Sequence, residues 1–316
     1  MAKYRHQLPQ LQGGLFLSDG GLETSLIFHD GLDLPYFAAF PLLKTAEGRE
    51  ALTRYFRNFM KLATQRGLGF VLDTATWRAN PDWAVRLGVG PAELDAINRD
   101  AVAFAITLRD AFERESGKPV IVNGVLGPRG DGYRVEHAMS AAEAQLYHAR
   151  QIASFEAAGA DMVSAITMNY AEEAIGIAMA AKKARIPAVI SFTVETDGRL
   201  ASGIGIGDAI AAVDAATEAS PVYYMINCAH PSHFDNALVE NAAWLGRIRG
   251  VRANASHKSH AELDEATELD AGDPVDLGQR YRALRGALPR LNVLGGCCGT
   301  DHRHIAAIAD ANIPAA

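Results

Sequence analysis

The chain has 316 residues, of which 49% are hydrophobic and 21% charged, and its formal net charge is −7 at pH 7. This composition is typical of a globular protein, and no uninterrupted apolar run is long enough to cross a bilayer, so no membrane protein is expected. The acidic balance provides no basic face for nucleic acid, and we expect small molecules as partners.

Short apolar or β-branched runs predict eight strands along the chain. In order they cover residues 15–21, 69–76, 120–125, 161–168, 188–194, 222–228, 250–255 and 292–297. Amphipathic stretches between them predict helices, for example at 47–66, 91–115, 141–158, 171–185 and 277–288. Because strands and helices alternate, the sequence predicts an α/β fold whose parallel sheet closes into a (β/α)₈ TIM barrel. We expect residues 1–316 to form it as a single domain.

A doubly wound open sheet is the alternative fold. Such a sheet often carries Gly-x-Gly-x-x-Gly after its first strand, whereas this chain has Asp19 and two glycines followed by Leu22 and Glu23. The glycine-rich residues 203–207 are interpreted as a flexible connection in a polar loop. The acidic residues 260–274 are interpreted as a solvated helix and loop that could cover the barrel mouth.

The three cysteines lie at the ends of two predicted strands, Cys228 after the sixth and the pair Cys297 and Cys298 after the eighth. The carboxyl ends of barrel strands meet at the catalytic face, so we expect the three thiols to converge there. Three thiolates suit zinc and leave its fourth coordination position open for a substrate. Inert buried thiols and a disulfide are the alternatives, but flanking glycines and the odd count disfavour them. Free thiols, without a visible secretory signal, indicate a cytoplasmic location.

Other polar side chains also follow predicted strands. They are Asp19, Asp73, Thr76, Asn123, Thr167, Asn169 and Glu195. Asp19 is the strongest candidate for a site residue, since the following glycines would present backbone amides beside its carboxylate at the barrel mouth. The alternative is a turn residue that bonds its own backbone.

The histidines allow a competing metal site. The spaced pairs are His230 with His233, His257 with His260, and His302 with His304. None forms His-Glu-x-x-His, and solvated or capping roles are favoured for all three pairs. His230, two residues after Cys228, is kept as a candidate to orient a metal ligand. Asp301 is expected to cap a helix.

Aromatic side chains are predicted near the mouth as well. They are Tyr36, Phe37, Trp77, Tyr133 and Tyr170. Aromatic faces hold sulfonium or quaternary ammonium groups, and ordinary packing is the alternative role.

With these residues the chain resembles the homocysteine S-methyltransferase family, which includes the betaine-homocysteine and S-methylmethionine-homocysteine enzymes. The resemblance runs from about residue 15 to 310 and is carried by residues 18–21, 127–130, 226–228 and 295–299. It implies a (β/α)₈ barrel, a catalytic zinc ion held by Cys228, Cys297 and Cys298, and methyl transfer to a thiol. It also implies that Asp19 and Gly20 help to bind the amino acid acceptor.

The resemblance further implies that Asn227 supports the site beside the zinc ion. We group Asn227 with Thr167, Trp77 and Arg78 as further candidate substrate-binding residues. Two departures concern substrate choice. The family has a glutamate just before Thr167 that contacts the homocysteine amino group, and this chain has Ile166. Losing that charge-assisted hydrogen bond is worth roughly 1.5 to 3 kcal/mol. Arg78 lies near the position of a tyrosine that can reach the metal in the betaine enzyme, and an arginine can instead pair with a substrate carboxylate.

The sequence thus predicts a zinc-dependent methyltransferase that moves a methyl group from an onium donor, such as S-methylmethionine, to a thiol, with homocysteine giving methionine. A sulfonium donor is favoured, and a homo-oligomer is compatible with the sequence. The first alternative is the same chemistry on another thiol. The second is zinc-assisted hydrolysis with Asp19 or Asp73 as the base, and the third is a zinc-binding protein without activity that has a fourth ligand such as His230.

Overall fold

The computed structural model describes residues 2–238 and 242–313. Strands β1 to β8 are Phe16–Leu17, Gly69–Asp73, Val120–Leu126, Met162–Met168, Ala188–Phe192, Tyr223–Asn227, Ile248–Ala253 and Val293–Gly296. Helices α1 to α11 are Leu22–Phe28, Ala46–Gln65, Pro81–Arg86, Pro91–Ser116, Ala141–Ala158, Ala171–Ala184, Ile206–Thr217, Pro231–Phe234, His260–Asp264, Pro274–Ala287 and His302–Asn312. Short 3₁₀ helices cover Pro9–Leu11, Pro35–Phe37, Phe40–Lys44, Asp235–Ala237 and Ala243–Arg247.

Each strand pairs in parallel with the next one in sequence, and β8 pairs with β1 to close the barrel. The predicted (β/α)₈ barrel is therefore confirmed, and an open doubly wound sheet is excluded. Strand β1 is shorter than predicted. The Ser18 amide still donates to the Leu294 carbonyl at 2.9 Å, but the chain then turns at Gly20 and Gly21 into α1.

Apolar side chains fill the barrel near the amino ends of the strands. Phe16, Met162 and Tyr223, from three different strands, are almost fully buried in one cluster, and Leu8 of the N-terminal segment packs against them. A second, larger cluster lies between the sheet and the surrounding helices. Because this packing closes one end of the barrel, polar side chains can gather only at the opposite, carboxyl end of the strands.

One loop interpretation needs revision, and one helix-cap prediction is confirmed. Residues 203–207 were expected to be a flexible connection, but α7 begins within them at Ile206, with Gly205 as its N-cap. Asp301 caps α11 as predicted, since its carboxylate accepts from the Arg303 amide at 2.9 Å. None of the helices in the described ranges is both long and apolar enough to span a membrane.

Candidate metal centre and substrate cavity

The three cysteine thiols meet at the carboxyl end of the barrel. Cys228 follows β6 directly, and Cys297 and Cys298 follow β8. Their sulfur atoms all lie within 4.8 Å of one another, and Cys228 Sγ is 3.5 Å from Cys298 Sγ. Tetrahedral zinc–sulfur bonds of about 2.3 Å would place sulfur atoms roughly 3.8 Å apart. The spacing therefore fits three thiolate ligands on one ion, and the strand assignment predicted this convergence correctly.

Glycines allow the end of β1 to approach the cysteine pair. A Cβ atom on Gly21 would lie 2.6 Å from the Cys297 carbonyl oxygen, and one on Gly20 would lie 2.6 Å from the Thr300 carbonyl oxygen. Both distances are shorter than any Cβ contact that a folded chain tolerates. The two glycines are thus needed for packing against residues 296–300, which we call the cysteine turn. This requirement is independent of any ligand that their backbone amides bind.

Strained backbone presents Cys228 to the other two thiols. Its φ is 54°, in the left-handed region that is unfavourable for residues other than glycine. The Cys228 carbonyl oxygen accepts hydrogen bonds from Asn254 Nδ2 at 3.0 Å and from His260 Nε2 at 2.5 Å. Two side chains from beyond β7 therefore stabilise the turned conformation.

Negative charge in the thiol cluster is concentrated at Cys297. Hydrogen bonds from Cys228 and Cys298 hold the pKa of Cys297 well below its usual range, and the nearby Arg252 lowers it further. Cys228 and Cys298 have raised pKa values, mainly because each hydrogen-bonds to a neighbouring thiol. A cluster that already favours a thiolate is suited to binding a cation.

Tyr133 and His260 form a stacked pair beside Cys228. Their ring centroids are 4.0 Å apart, and the Tyr133 hydroxyl lies 2.9 Å from Cys228 Sγ. The Nδ1 atom of His260 lies 3.0 Å from Glu195 Oε1. Burial lowers the pKa of His260, but the hydrogen bonds to Glu195 and to the Cys228 carbonyl outweigh it, so the pKa is raised overall. Both ring nitrogens face oxygen acceptors, and the protonated form satisfies both.

The histidine predictions therefore need correction. His260 was expected to be solvated or to cap a helix. It is instead only 8% exposed, and its Nε2 forms a hydrogen bond with the backbone carbonyl of Cys228. His230 was kept as the residue that orients a ligand, yet it caps α8, where its Nδ1 accepts from the Ser232 amide. In the described chain the group with metal-ligand spacing contains only the three cysteines, so His230 does not supply a fourth ligand.

A buried arginine links the strand-end carboxylates to the cysteine turn. Arg252 donates to Asp19 at 2.6 Å, to Asp73, and to the Gly296 carbonyl at 3.1 Å. Asp19 is thus an ion-pair partner of a buried arginine. Burial raises the pKa of Asp19 to about 7, although Arg252 opposes this shift.

Zinc-assisted hydrolysis requires a carboxylate that is free to act as a base. The two predicted bases, Asp19 and Asp73, are both engaged in the hydrogen-bond network of Arg252. Asp19 accepts an additional hydrogen bond from the Tyr55 hydroxyl at 3.1 Å, and Asp73 accepts one from Asn123 Nδ2 at 2.7 Å. Since Arg252 also binds each carboxylate, neither is available to activate water. The arrangement therefore disfavours zinc-assisted hydrolysis with Asp19 or Asp73 as the base.

A β-bulge in β4 shapes the wall of the site at Ile166, the position where the family has a glutamate. The pairing register of β4 with β5 shifts between Ala165 and Met168, and Thr167 has a φ of 67°. Asn227 stabilises this turn, because its Oδ1 accepts from the Thr167 amide and its Nδ2 donates to Thr167 Oγ1, both at 2.9 Å. Asn227 was grouped with the substrate-binding residues, but it is fully buried and lies outside the cavity lining. It can act on a substrate only through Thr167.

A cavity of about 420 Å³ opens above the thiols. Its lining includes the predicted site residues Asp19, Gly20, Trp77, Arg78, Thr167, Cys228, Cys297 and Cys298, together with Ile166. Residues between 263 and 270 also line it, so the acidic segment that was interpreted as solvated does border the mouth. Of the predicted aromatic side chains, Phe37, Trp77 and Tyr133 face this cavity, whereas Tyr170 lines a different one and Tyr36 is 51% exposed.

We expect Tyr133→Phe to weaken metal binding about 10- to 100-fold, because it removes a hydrogen-bonding group from Cys228 Sγ, one of the three sulfur atoms that would hold the ion. Competition with a chromophoric zinc chelator would measure the affinity. Tyr170→Phe is the matched control, because its hydroxyl accepts from the Met139 amide and lies away from the thiols. Equal affinities for the two variants would contradict the role assigned to Tyr133.

Comparisons with known proteins give one family match over most of the chain. A profile of the homocysteine S-methyltransferase family matches residues 16–312. Two crystal structures of the homocysteine methyltransferase MmuM from Escherichia coli, the oxidized and metallated forms, superpose with TM-scores of 0.76 and 0.75. Each is 22% identical to this chain, and the matches cover 98% and 97% of this chain and 99% of theirs. No curated protein sequence matches significantly. The family profile spans nearly the whole barrel, and the chain therefore belongs to the homocysteine S-methyltransferase family and is an S-methyltransferase.

Proposed function

We propose that the chain transfers a methyl group from an onium donor to homocysteine, giving methionine, at a zinc centre held by Cys228, Cys297 and Cys298. The observation that carries this proposal is the cluster of three thiols at the floor of an acidic, aromatic-lined cavity. The whole chain, residues 1–316, would serve as one homocysteine-binding barrel domain.

The donor set supports zinc. Three soft thiolates without an oxygen or imidazole ligand suit zinc far better than magnesium or calcium, and the sulfur spacing fits its bond lengths. When bound, zinc would lower the pKa of the acceptor thiol and hold the resulting thiolate at its open position.

The protein's own residues fix the geometry around that position. Arg252 holds Asp19 and the Gly296 carbonyl together, so the end of β1 and the cysteine turn keep one arrangement. Tyr133 can donate to Cys228 Sγ, and His260 holds the Cys228 backbone. Asp19, Gly20 and Thr167 would border the acceptor, with Asn227 fixing Thr167 from behind. Such preorganisation places sulfur and methyl carbon in line before reaction.

The reaction itself needs no general acid. The acceptor thiol releases its proton to solvent, and its thiolate sulfur attacks the methyl carbon. A carbon–sulfur bond forms as the bond from methyl to the onium heteroatom breaks. The electron pair of that bond stays on the leaving group, which departs neutral. Methyl transfer therefore does not require Asp19 or Asp73 as an acid or base, and Arg252 holds both carboxylates.

The charge of the cavity favours a cationic donor, because its acidic side chains outnumber its arginines. The acidic lining consists of Asp19, Glu23, Asp73, Asp131, Asp264, Glu268 and Asp270, against Arg78 and Arg252. Trp77, Tyr133 and Phe37 add aromatic faces that attract a sulfonium or ammonium cation. We propose a sulfonium such as S-methylmethionine as the donor.

A donor panel tests this proposal. Zinc-loaded protein would be mixed with homocysteine and with S-methylmethionine, glycine betaine or S-adenosylmethionine, and methionine would be quantified by mass spectrometry. We expect the protein to form methionine from homocysteine with a sulfonium donor such as S-methylmethionine. When homocysteine is omitted, we expect no demethylated donor. Donor breakdown without any thiol would instead support hydrolysis, and transfer only to other thiols would show that Ile166 has changed the acceptor.

A further inference from the structure

Two opposite charges, Glu23 and Arg78, lie on the wall of the thiol cavity without pairing with each other. Both side chains line the cavity that contains the three cysteines. No ion pair within 4.0 Å joins them or binds either one to another side chain of the described residues. Charges of opposite sign that face one cavity and remain apart are suited to a ligand that carries both signs.

Glu23 is a carboxylate near the thiols that can bind a ligand cation, because no ion pair within the described residues holds it. It is the second residue of α1 and follows the turn at Gly20 and Gly21. Burial raises its pKa to about 7, and the nearby Cys297 and Asp19 raise it as well. Asp19 and Asp73, by contrast, are both bound by Arg252. A ligand cation placed against Glu23 would therefore meet a carboxylate that no arginine or lysine of the described residues binds in an ion pair.

Arg78 is held rigidly and keeps an unused donor. Its guanidinium carbon lies 4.1 Å from the Trp77 ring centroid and 3.9 Å from that of Trp83, so the group is stacked between two indoles. Nη1 donates to the Gly130 carbonyl at 3.1 Å. The side chain is only 8% exposed, and its Nε has no hydrogen-bond partner within the described structure. A planar, fixed guanidinium with a free donor matches a carboxylate.

The position of the family glutamate contributes no charge in this chain. Ile166 lines the same cavity, is 8% exposed, and offers only its carbonyl, which accepts from Trp77 Nε1 at 3.3 Å. An acceptor ammonium group would thus find no anion on β4. Glu23, in α1 after β1, provides one on a different wall of the cavity.

We infer that Glu23 and Arg78 select an α-amino acid as the acceptor, with Glu23 binding its ammonium group and Arg78 its carboxylate. This inference rests on the proposed function. Ammonium and carboxylate share one carbon atom in such a ligand, so a single molecule can satisfy both side chains while its thiol reaches the cysteine cluster. Glu23 thereby makes, from α1, the contact that Ile166 on β4 cannot make.

The test compares three thiol acceptors on zinc-loaded protein with one donor. They are homocysteine, 4-sulfanylbutanoate, which lacks the ammonium group, and 3-aminopropanethiol, which lacks the carboxylate. We expect Glu23→Gln to lower kcat/KM for homocysteine about 10- to 100-fold, mainly through KM, and to change it less than about twofold for 4-sulfanylbutanoate. Arg78→Gln should show the reverse pattern, with a loss for homocysteine but not for 3-aminopropanethiol.

Glu47→Gln is the matched control, because Glu47 is also the second residue of a helix but is exposed and far from the cavity lining. Unfolding temperature and zinc content of each variant would show that the fold and metal centre persist. Adding Ile166→Glu to Glu23→Gln should restore part of the preference for homocysteine, which a purely structural role of Glu23 would not produce.

Equal losses for all three acceptors in Glu23→Gln, or no loss for homocysteine, would overturn the inference and leave the proposed function intact. The inference would also be overturned, with the proposed function intact, if the wild type methylated 4-sulfanylbutanoate with the same kcat/KM as homocysteine. A wild type that methylates none of the three thiols would overturn the proposed function, and this inference with it.

Discussion

Replacing Cys298 with serine should remove the metal ion from the protein and lower methyl transfer by more than about 100-fold. Changing an outer partner of a metal ligand typically costs about 10- to 100-fold, and loss of one of three ligands exceeds that. The effect should be this large because, in the described chain, no histidine or carboxylate shares the cluster and could substitute for the missing thiol. Cys228→Ser and Cys297→Ser should behave alike.

Metal content per protein and methyl-transfer rate would be measured on the same samples by mass spectrometry. The chain has no fourth cysteine that could provide a matched variant, so wild-type protein stripped with a chelator and reloaded serves as the control. Zinc should restore activity to the stripped wild type and not to Cys298→Ser. A variant that retains one zinc ion per chain at full activity would exclude this thiol as a ligand.

Replacing Arg252 with glutamine should lower the free energy of unfolding by about 3–5 kcal/mol, because it leaves the buried carboxylates of Asp19 and Asp73 without their partner. The effect should also depend on pH. Burial already raises the pKa of Asp19 to about 7, above its value in the unfolded chain, and removal of Arg252 raises it further. A protonated Asp19 needs no cation, so the destabilisation should be smaller at pH 5 than at pH 8.

Chemical denaturation of both proteins at the two pH values would measure this difference. Arg249→Gln is the matched control on the same strand, since Arg249 is partly exposed and lies at the opposite end of β7 from the cavity. We expect that control to remain within about 0.5 kcal/mol of the wild type. A loss for Arg252→Gln no larger than for Arg249→Gln would show that the ion pairs contribute little to stability.

The barrel and the thiol cluster were predictable because their signals are local. Each strand is a short apolar run in the sequence, and the three cysteines directly follow two of those runs. One general property of parallel barrels, that strand carboxyl ends share a face, then brings the thiols together. No long-range contact had to be known in advance.

The surroundings of the cluster were not predictable in the same way. His260 reaches Cys228 from a different loop, and its spacing from His257 gives no indication of that contact. Tyr55 reaches Asp19 from the middle of α2, where an aromatic residue is compatible with ordinary helix packing. Arg252 left one signal in the sequence. It is a charged residue between the apolar Val251 and Ala253 inside a predicted strand, a pattern that marks a buried ion pair or a functional site.

Backbone conformation was also hidden from the sequence. Thr167 and Cys228 both adopt positive φ at strand ends, although neither is a glycine, and both are fixed by hydrogen bonds from other strands and loops. Unfavourable local geometry of this kind exists only when tertiary contacts stabilise it. Residue propensities therefore do not indicate it.

X-ray absorption at the zinc edge of the zinc-loaded protein tests the proposed centre most directly. We predict three sulfur neighbours, from Cys228, Cys297 and Cys298, and a fourth sulfur neighbour when homocysteine is added. The same measurement on Glu23→Gln should require a higher homocysteine concentration for the fourth neighbour. Fewer than three sulfur neighbours, or three that saturating homocysteine leaves unchanged, would contradict a thiol-held zinc ion that receives the acceptor.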